Sequence, residues 1–357
     1  MKCALIPILI GLLLVACGQI GPASVSRDRF DYNSAVSESW KEQTLLNIVK
    51  IRYADMPLFL EVASIVSGYS FEKSASLMGN IFDGGSSPDN FSLGAGGTHI
   101  ERPTITYAPI TGAKFNKNFM TPLPPYVVLF LIQSGWPADI VLPIAVEAVN
   151  GLRAQRSAGA SQRVGDSGYY RVIQLFKTIQ NSAGLGVRVI RNDENKETLV
   201  LSICGSDLPA DVLAARDELA GLLGVQKGAG EYTVTFGEIA KNDKELAMLT
   251  RSMLSIMVVM AGQVEVPEWH ISQGITVASL SGANASATDG PRHIIAIRHG
   301  RERPVEAFVA VEYKGYWFWI DDRDFASKRI FAYLMILFSL TETSGREGLP
   351  LITIPAG

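Results

Sequence analysis

Apolar residues recur along this chain in two rhythms, one of three to four residues and one of two, and the switches between them mark its elements. Over residues 33–52, Val36, Trp40, Leu45, Leu46, Ile48 and Val49 keep helical spacing behind Asn33, a residue suited to an N-cap. Pro57 breaks the pattern, and residues 58–67 continue as an apolar helix or strand whose set, Leu58, Phe59, Leu60, Val62, Ile65 and Val66, leans towards a helix. Glycine-rich stretches at 83–88 and 94–97, followed by alternation over 104–107, predict a β-hairpin with loose loops across 79–118. Proline-led helices follow, one ending at Gln133 and one over 138–152. A helix over 169–180, strands at 187–191 and 197–203, a helix over 210–223 and a strand at 232–236 come next. Residues 244–261 read as a Met-rich helix closed by Gly262. Strands at 293–298, 307–313 and 316–320 surround the turn Lys314-Gly315, and a helix over 325–340 starts behind Asp324. The expected fold class is α+β, helices mixed with β-hairpins and antiparallel meanders.

The polar stretch 156–168 divides the body into an N-terminal α+β region, 31–155, and a C-terminal one, 169–357. With 357 residues, 47% of them hydrophobic and 19% charged, the chain has enough apolar surface for a large core. The net charge of -3 and the lack of a basic stripe argue against nucleic acid as a partner. Cysteines stand only at 3, 17 and 204, so no disulfide framework is expected, and Cys204 reads as a small buried hydrophobe in the run Leu199 to Cys204.

The first residues change the picture. Met1-Lys2 and the apolar run from Ala4 to Val15 have the layout of a secretory signal, residues 1–16, too short to remain as a membrane span. Leu14-Val15-Ala16-Cys17 resembles the lipobox of bacterial lipoproteins. That resemblance implies diacylglycerol on the Cys17 sulfur, an acylated (palmitate-type) amine and a firm anchor. Gly18 rather than Asp after the cysteine implies sorting to the outer membrane, facing the periplasm, with residues 17–30 as a flexible lipidated tether.

Two further stretches carry a resemblance. Ser39 to Gln43 leading into Leu46 to Leu60, and Gly315 to Arg329 with its core Trp317-Phe318-Trp319-Ile320-Asp321-Asp322, resemble a group of uncharacterised proteobacterial lipoproteins. The resemblance extends over most of the mature chain, through Phe308 to Val311 and Thr353-Ile354-Pro355, and implies a location without an activity. Met56 departs from the proline or small residue expected before Pro57.

Two constellations are candidate interaction sites. Trp40, Gln43, Asn47, Arg52 and Tyr53 combine anchors, amides and a guanidinium on one helix, as recognition of a sugar, peptidoglycan or a partner helix requires; the preferred reading is a core helix whose amides satisfy neighbouring backbone groups. Trp317, Trp319, Asp321, Asp322 and Asp324 place carboxylates at the end of an aromatic strand, where they could take a cation, act as an acid cluster, or simply build a strand-to-helix turn. The histidines at 99, 270, 293 and 299 lack metal-ligand spacing, and Pro267 interrupts the grouping Glu265, Glu268 and His270. Ser70 and Lys73 match an S-x-x-K spacing without its companion motifs, and GxSxG, GxGxxG and phosphate-loop motifs are absent. The Met-rich helix and the apolar run 330–340 read as core. Neither a metal nor a cofactor is expected. The function that follows is non-enzymatic: a lipid-anchored outer-membrane protein binding or scaffolding an envelope protein or cell-wall component. The competing reading is a lipid-anchored hydrolase of peptidoglycan or lipid.

Overall fold

The structure, a computed structural model, describes residues 22–80, 90–158, 161–191, 197–203, 208–278 and 294–342. Cys17, Cys204 and His293 lie outside the described residues, as do the turn 192–195 and the apolar end 351–354. The fold is α+β, and the chain divides into two units, residues 58–112 forming one and residues up to 57 together with 113–342 the other.

The larger unit opens with helix α1 (Pro22–Arg52), so residues 22–30, expected as a flexible tether, are its first turns. From Arg29 on, where burial is described, it begins at Thr44, and Leu45, Asn47, Ile48 and Val49 turn inward. After the helical turn α2 (Gly112–Phe115) and the π-helical Asn116–Met120 come α3 (Pro125–Gln133) and α4 (Ala138–Ala145), each started by a proline whose missing N–H costs nothing at that end. Gln180 joins the two: its amide donates to the carbonyls of Ile132 and Trp136, both at 2.7 Å, and its oxygen accepts the N–H of Ala138 at 2.9 Å.

The helix expected over 138–152 stops at Ala145. There the chain turns into strand β3 (Val146–Val149), reverses at Asn150-Gly151 and leaves as β4 (Leu152–Arg153). Asn150 and Gly151 have φ of 43° and 83°, the left-handed pair that a two-residue hairpin needs. The Asn150 amide donates to the Leu223 carbonyl at 2.8 Å, and its oxygen accepts the Ala247 N–H at 2.7 Å. A short ribbon, β5 (Arg156–Ala158) and β6 (Ser161–Arg163), follows, then α5 (Ser167–Asn181), β7 (Leu185–Arg191), β8 (Glu197–Ile203), α6 (Ala210–Leu223) and β9 (Glu231–Phe236).

Strand β10 (Glu245–Thr250) replaces the first half of the helix expected over 244–261. Its neighbours bury it on both sides, so it reads as a continuous apolar run with no period of two, and only its packing separates it from a helix. Helix α7 (Met253–Ala261) then starts behind Ser252, whose hydroxyl accepts the Ser255 N–H at 3.2 Å, and Met253, Met257 and Met260 are buried core. The resulting sheet has the order β4-β3-β10-β9-β8-β7, antiparallel apart from β9 beside β10. It draws strands from both sides of residues 156–168.

A short helix α8 (Glu268–Ser272) leads towards the second sheet of this unit, made of β11 (Arg298–Gly300), β12 (Ala307–Tyr313) and β13 (Tyr316–Asp321) in the order β11-β13-β12. Lys314 and Gly315, with φ of 49° and 76°, make the expected tight turn between β12 and β13. Helix α9 (Phe325–Glu342) closes the described chain and buries Phe331, Tyr333, Leu334, Leu337 and Phe338. No helix among the described residues is long and apolar enough to cross a membrane.

The smaller unit is an antiparallel ribbon of β1 (Leu60–Asn80) and β2 (Asn90–Pro109), in register from Leu60 opposite Pro109 to Asn80 opposite Asn90, with a bulge between Val62 and Ser64. The helix-leaning reading of 58–67 is therefore corrected. The β-branched residues there serve a strand, and the expected hairpin is longer than 79–118 in one direction and shorter in the other.

Candidate functional site

The three-stranded sheet brings together most of the unusual chemistry of the larger unit. On one face of β13, Phe318 and Ile320 are buried, with Val309 and Val311 of β12 opposite and His299 of β11 beside Phe318. The end of α1 packs on this face. Tyr53 sets its ring edge to Phe318 at 6.0 Å, to Tyr313 at 5.4 Å and to His270 of α8 at 5.5 Å. Its hydroxyl lies 2.7 Å from Nδ1 of His270. Burial pushes the Tyr53 phenol up to about 12. Burial, helped by Lys314, His299 and Arg301, holds the His270 imidazole below its ordinary value. Both groups are thus neutral at pH 7, an arrangement in which the phenol donates to Nδ1 and the imidazole proton sits on Nε2.

Tyr316 stands at the open end of the cluster. Its ring is 5.0 Å from that of His270 and 6.2 Å from that of His299, and the Arg301 guanidinium lies over it at 4.9 Å. Nδ1 of His299 is buried without a partner among the described residues, which favours the bare lone pair there and the proton on Nε2, since an unmet N–H costs more. Burial also lowers the His299 pKa, with Glu265 opposing. Tyr313 is tied off, donating to Asp55 at 2.6 Å; burial first, and that carboxylate second, raise its pKa. The cluster therefore offers neutral donors and a cation around one aromatic ring, suited to holding polar or anionic oxygens.

The candidates from the sequence separate rather than converge. Trp40 and Gln43 are half-buried on α1 and Asn47 is buried, with Gln43 and Asn47 engaged inside the chain. Arg52 donates to the Val277 carbonyl at 2.6 Å, while its own carbonyl accepts the Thr276 hydroxyl at 2.9 Å, so it pins residues 276–277 to the end of α1. Only Tyr53 enters the cluster. Trp317 and Trp319 occupy the opposite face of β13, each half-buried. Arg303 lies over Trp317 at 5.3 Å. Trp319 leans across Gly300, where an added Cβ would come within 3.1 Å of its ring.

The three carboxylates each have separate structural work. Asp321 accepts from Arg298 at 3.3 Å and from the Arg323 N–H at 2.9 Å. Asp322 takes Lys328 at 2.6 Å. Asp324 accepts the Ser327 N–H at 3.1 Å and its hydroxyl at 2.6 Å, capping α9; these bonds outweigh its burial and keep its carboxyl below the usual range. Among the described residues no group of His, Cys, Asp and Glu could hold a metal ion.

The residues that sequence reasoning passed over are His270, His299, Arg301, Tyr313 and Tyr316. The histidines are 29 positions apart, and they come together because both rings approach Tyr316 of β13, which no spacing encodes. The run Arg298-His299-Gly300-Arg301-Glu302-Arg303, dense in cations beside an aromatic strand, was the available signal. Comparisons of this chain with known protein families, curated proteins and solved structures find no match.

Proposed function

We propose that this chain is a lipoprotein of the outer membrane, anchored through Cys17 with its larger unit in the periplasm, where it binds an envelope component. The observation that carries this is the apolar run Ala4 to Val15 ending in Leu14-Val15-Ala16-Cys17, whose layout matches the substrate of lipid transfer to a cysteine sulfur. The resemblance to proteobacterial lipoproteins points the same way. A binding role rather than turnover is supported by the neutral donors around Tyr316, while Asp321, Asp322 and Asp324, the acid cluster a hydrolase would use, are occupied in the turn into α9. Metabolic labelling with palmitate tests the anchor: wild-type chain takes up label and fractionates with the outer membrane, and Cys17→Ser abolishes both. An unlabelled wild-type product overturns the reading. For the body, Asp321→Asn and Asp322→Asn leave function intact; loss of function with the fold preserved revives the hydrolase.

A further inference from the structure

The cations around the three-stranded sheet fall into two groups. Arg298, Arg323 and Lys328 are paired, with Asp321, Glu306 and Asp322 in turn. Arg301 and Lys314 make no ion pair among the described residues and rest instead on rings, Arg301 over Tyr316 at 4.9 Å and Lys314 over Tyr313 at 5.4 Å. A guanidinium over a ring keeps N–H groups at its edge for a further partner. Both cations act on the same imidazole, since after burial it is Lys314, His299 and Arg301 that lower the His270 pKa. The neutral groups beside them have hydrogen bonds to spare. Nδ1 of His270 is used by Tyr53, which leaves its Nε2; Nε2 of His299 and the Tyr316 hydroxyl likewise have no partner among the described residues. Unlike Nδ1 of His299, none of these three atoms is enclosed, so all three reach the surface. Opposing charge is sparse. Asp55 is spent on the Tyr313 hydroxyl and the Met56 N–H, and Glu265 is the one carboxylate whose field reaches an imidazole of the cluster, that of His299.

The geometry points to a phosphate-binding site at Tyr316, in which Arg301 and Lys314 supply charge and His270, His299 and the Tyr316 hydroxyl supply hydrogen bonds to a phosphomonoester. The inference rests on the binding role proposed above and names the chemistry of its ligand. A carboxylate brings two oxygens and a single charge. A phosphomonoester brings three strong acceptor oxygens and roughly two charges at pH 7, which matches two unpaired cations and three open donors. Arg301 sets the orientation, because the fork of a guanidinium meets two phosphate oxygens at once, while the Lys314 ammonium acts as a point charge. Neutral imidazoles suit such a site, since each gives an Nε2–H without adding to the repulsion between the cations when the ligand is away.

The test titrates inorganic phosphate into full-length chain in a phosphate-free detergent and follows binding by phosphorus NMR line broadening, with the melting temperature read on the same samples. Phosphate binds and raises the melting temperature, and Arg301→Gln and Lys314→Gln each weaken binding roughly tenfold while melting as the wild type does without phosphate. Arg301→Lys, which keeps the charge and loses the fork, recovers part of the loss. Arg303→Gln, over Trp317 on the opposite face of β13, leaves the affinity unchanged. No broadening, acetate binding as tightly as phosphate, or equal affinity in the wild type and both site variants overturns the site. Competition then separates the sources. Glycerol 3-phosphate displaces inorganic phosphate where the ligand is a soluble monoester, and phosphatidic acid in the same micelles does so where it is a lipid headgroup; displacement by neither overturns the monoester. Capture of envelope material that Tyr316→Ala abolishes, with no phosphate bound, removes the phosphate site and leaves the binding role; phosphate bound with no envelope material captured does the converse.

Discussion

The two sheets of the larger unit spend their polar groups in opposite ways. Around β10 each polar side chain brought inside is matched to a backbone group that the fold would otherwise strand. Asn150 serves β10 and the end of α6, and Arg251, almost fully buried, donates to the carbonyls of Pro143 at 2.7 Å and Ile144 at 3.1 Å where α4 ends. The Tyr169 hydroxyl reaches the Val146 carbonyl at 2.7 Å. Around β13, Tyr53 and Tyr313 are matched, yet Arg301 rests on an aromatic ring and Nδ1 of His299 meets no partner among the described residues. A satisfied polar interior fixes one conformation, whereas open polar groups hold binding capacity at some cost in stability.

Substitutions rank this contrast. The largest effect belongs to Arg251→Met, which leaves two buried carbonyls without their charged donor and costs roughly 3 kcal/mol in urea unfolding. Asn150→Ala follows at about 2 kcal/mol, from lost hydrogen bonds and a side chain ill suited to positive φ. Asp324→Ala, deleting the cap of α9, costs about 1 kcal/mol, and an equal loss in Asp322→Ala would contradict the roles assigned to them. His270 and His299 are both depressed by burial, so the unfolded chain takes up protons first. Stability is therefore full above about pH 6.5 and declines as pH falls below it, and His299→Gln flattens that decline in pH-dependent melting. The smallest effect has the other sign. Tyr333 is buried with its hydroxyl unmatched among the described residues, and Tyr333→Phe is neutral or stabilising by up to about 1 kcal/mol.

How far the chain could be read in advance follows the same division. Lys314-Gly315 was legible as a turn because short strand-like apolar runs, Ala307 to Val311 and Tyr316 to Ile320, flank it on both sides. Asn150-Gly151, a stronger dipeptide of the same kind, was hidden because the apolar run 140–146 carries helix α4 into strand β3 without a polar break. The same ambiguity concealed β10. Helices α5 and α6 were plain, since each buries residues at helical spacing, and strands β7 and β8 were marked by β-branched residues on either side of the polar run Asn192 to Asn195. At the candidate site, Trp317 and Trp319 were visible as an aromatic strand. The grouping of Tyr53, His270, His299 and Tyr316 was not, because it is assembled from four separate segments.

Helix α1 begins at Pro22, and among its residues whose burial is described, from Arg29 on, the first buried one is Thr44. At 1.5 Å per residue the 22 positions between them make a rod of about 33 Å, a strut whose first residues, 22–30, were expected as a loose leash. A strut fixes distance and bearing together. Deleting one residue from it swings whatever precedes Pro22 through about 100°, and deleting seven shortens the reach by roughly 10 Å while nearly restoring the original heading. Length along this strut is therefore graded, and only some grades keep the molecule facing the same way.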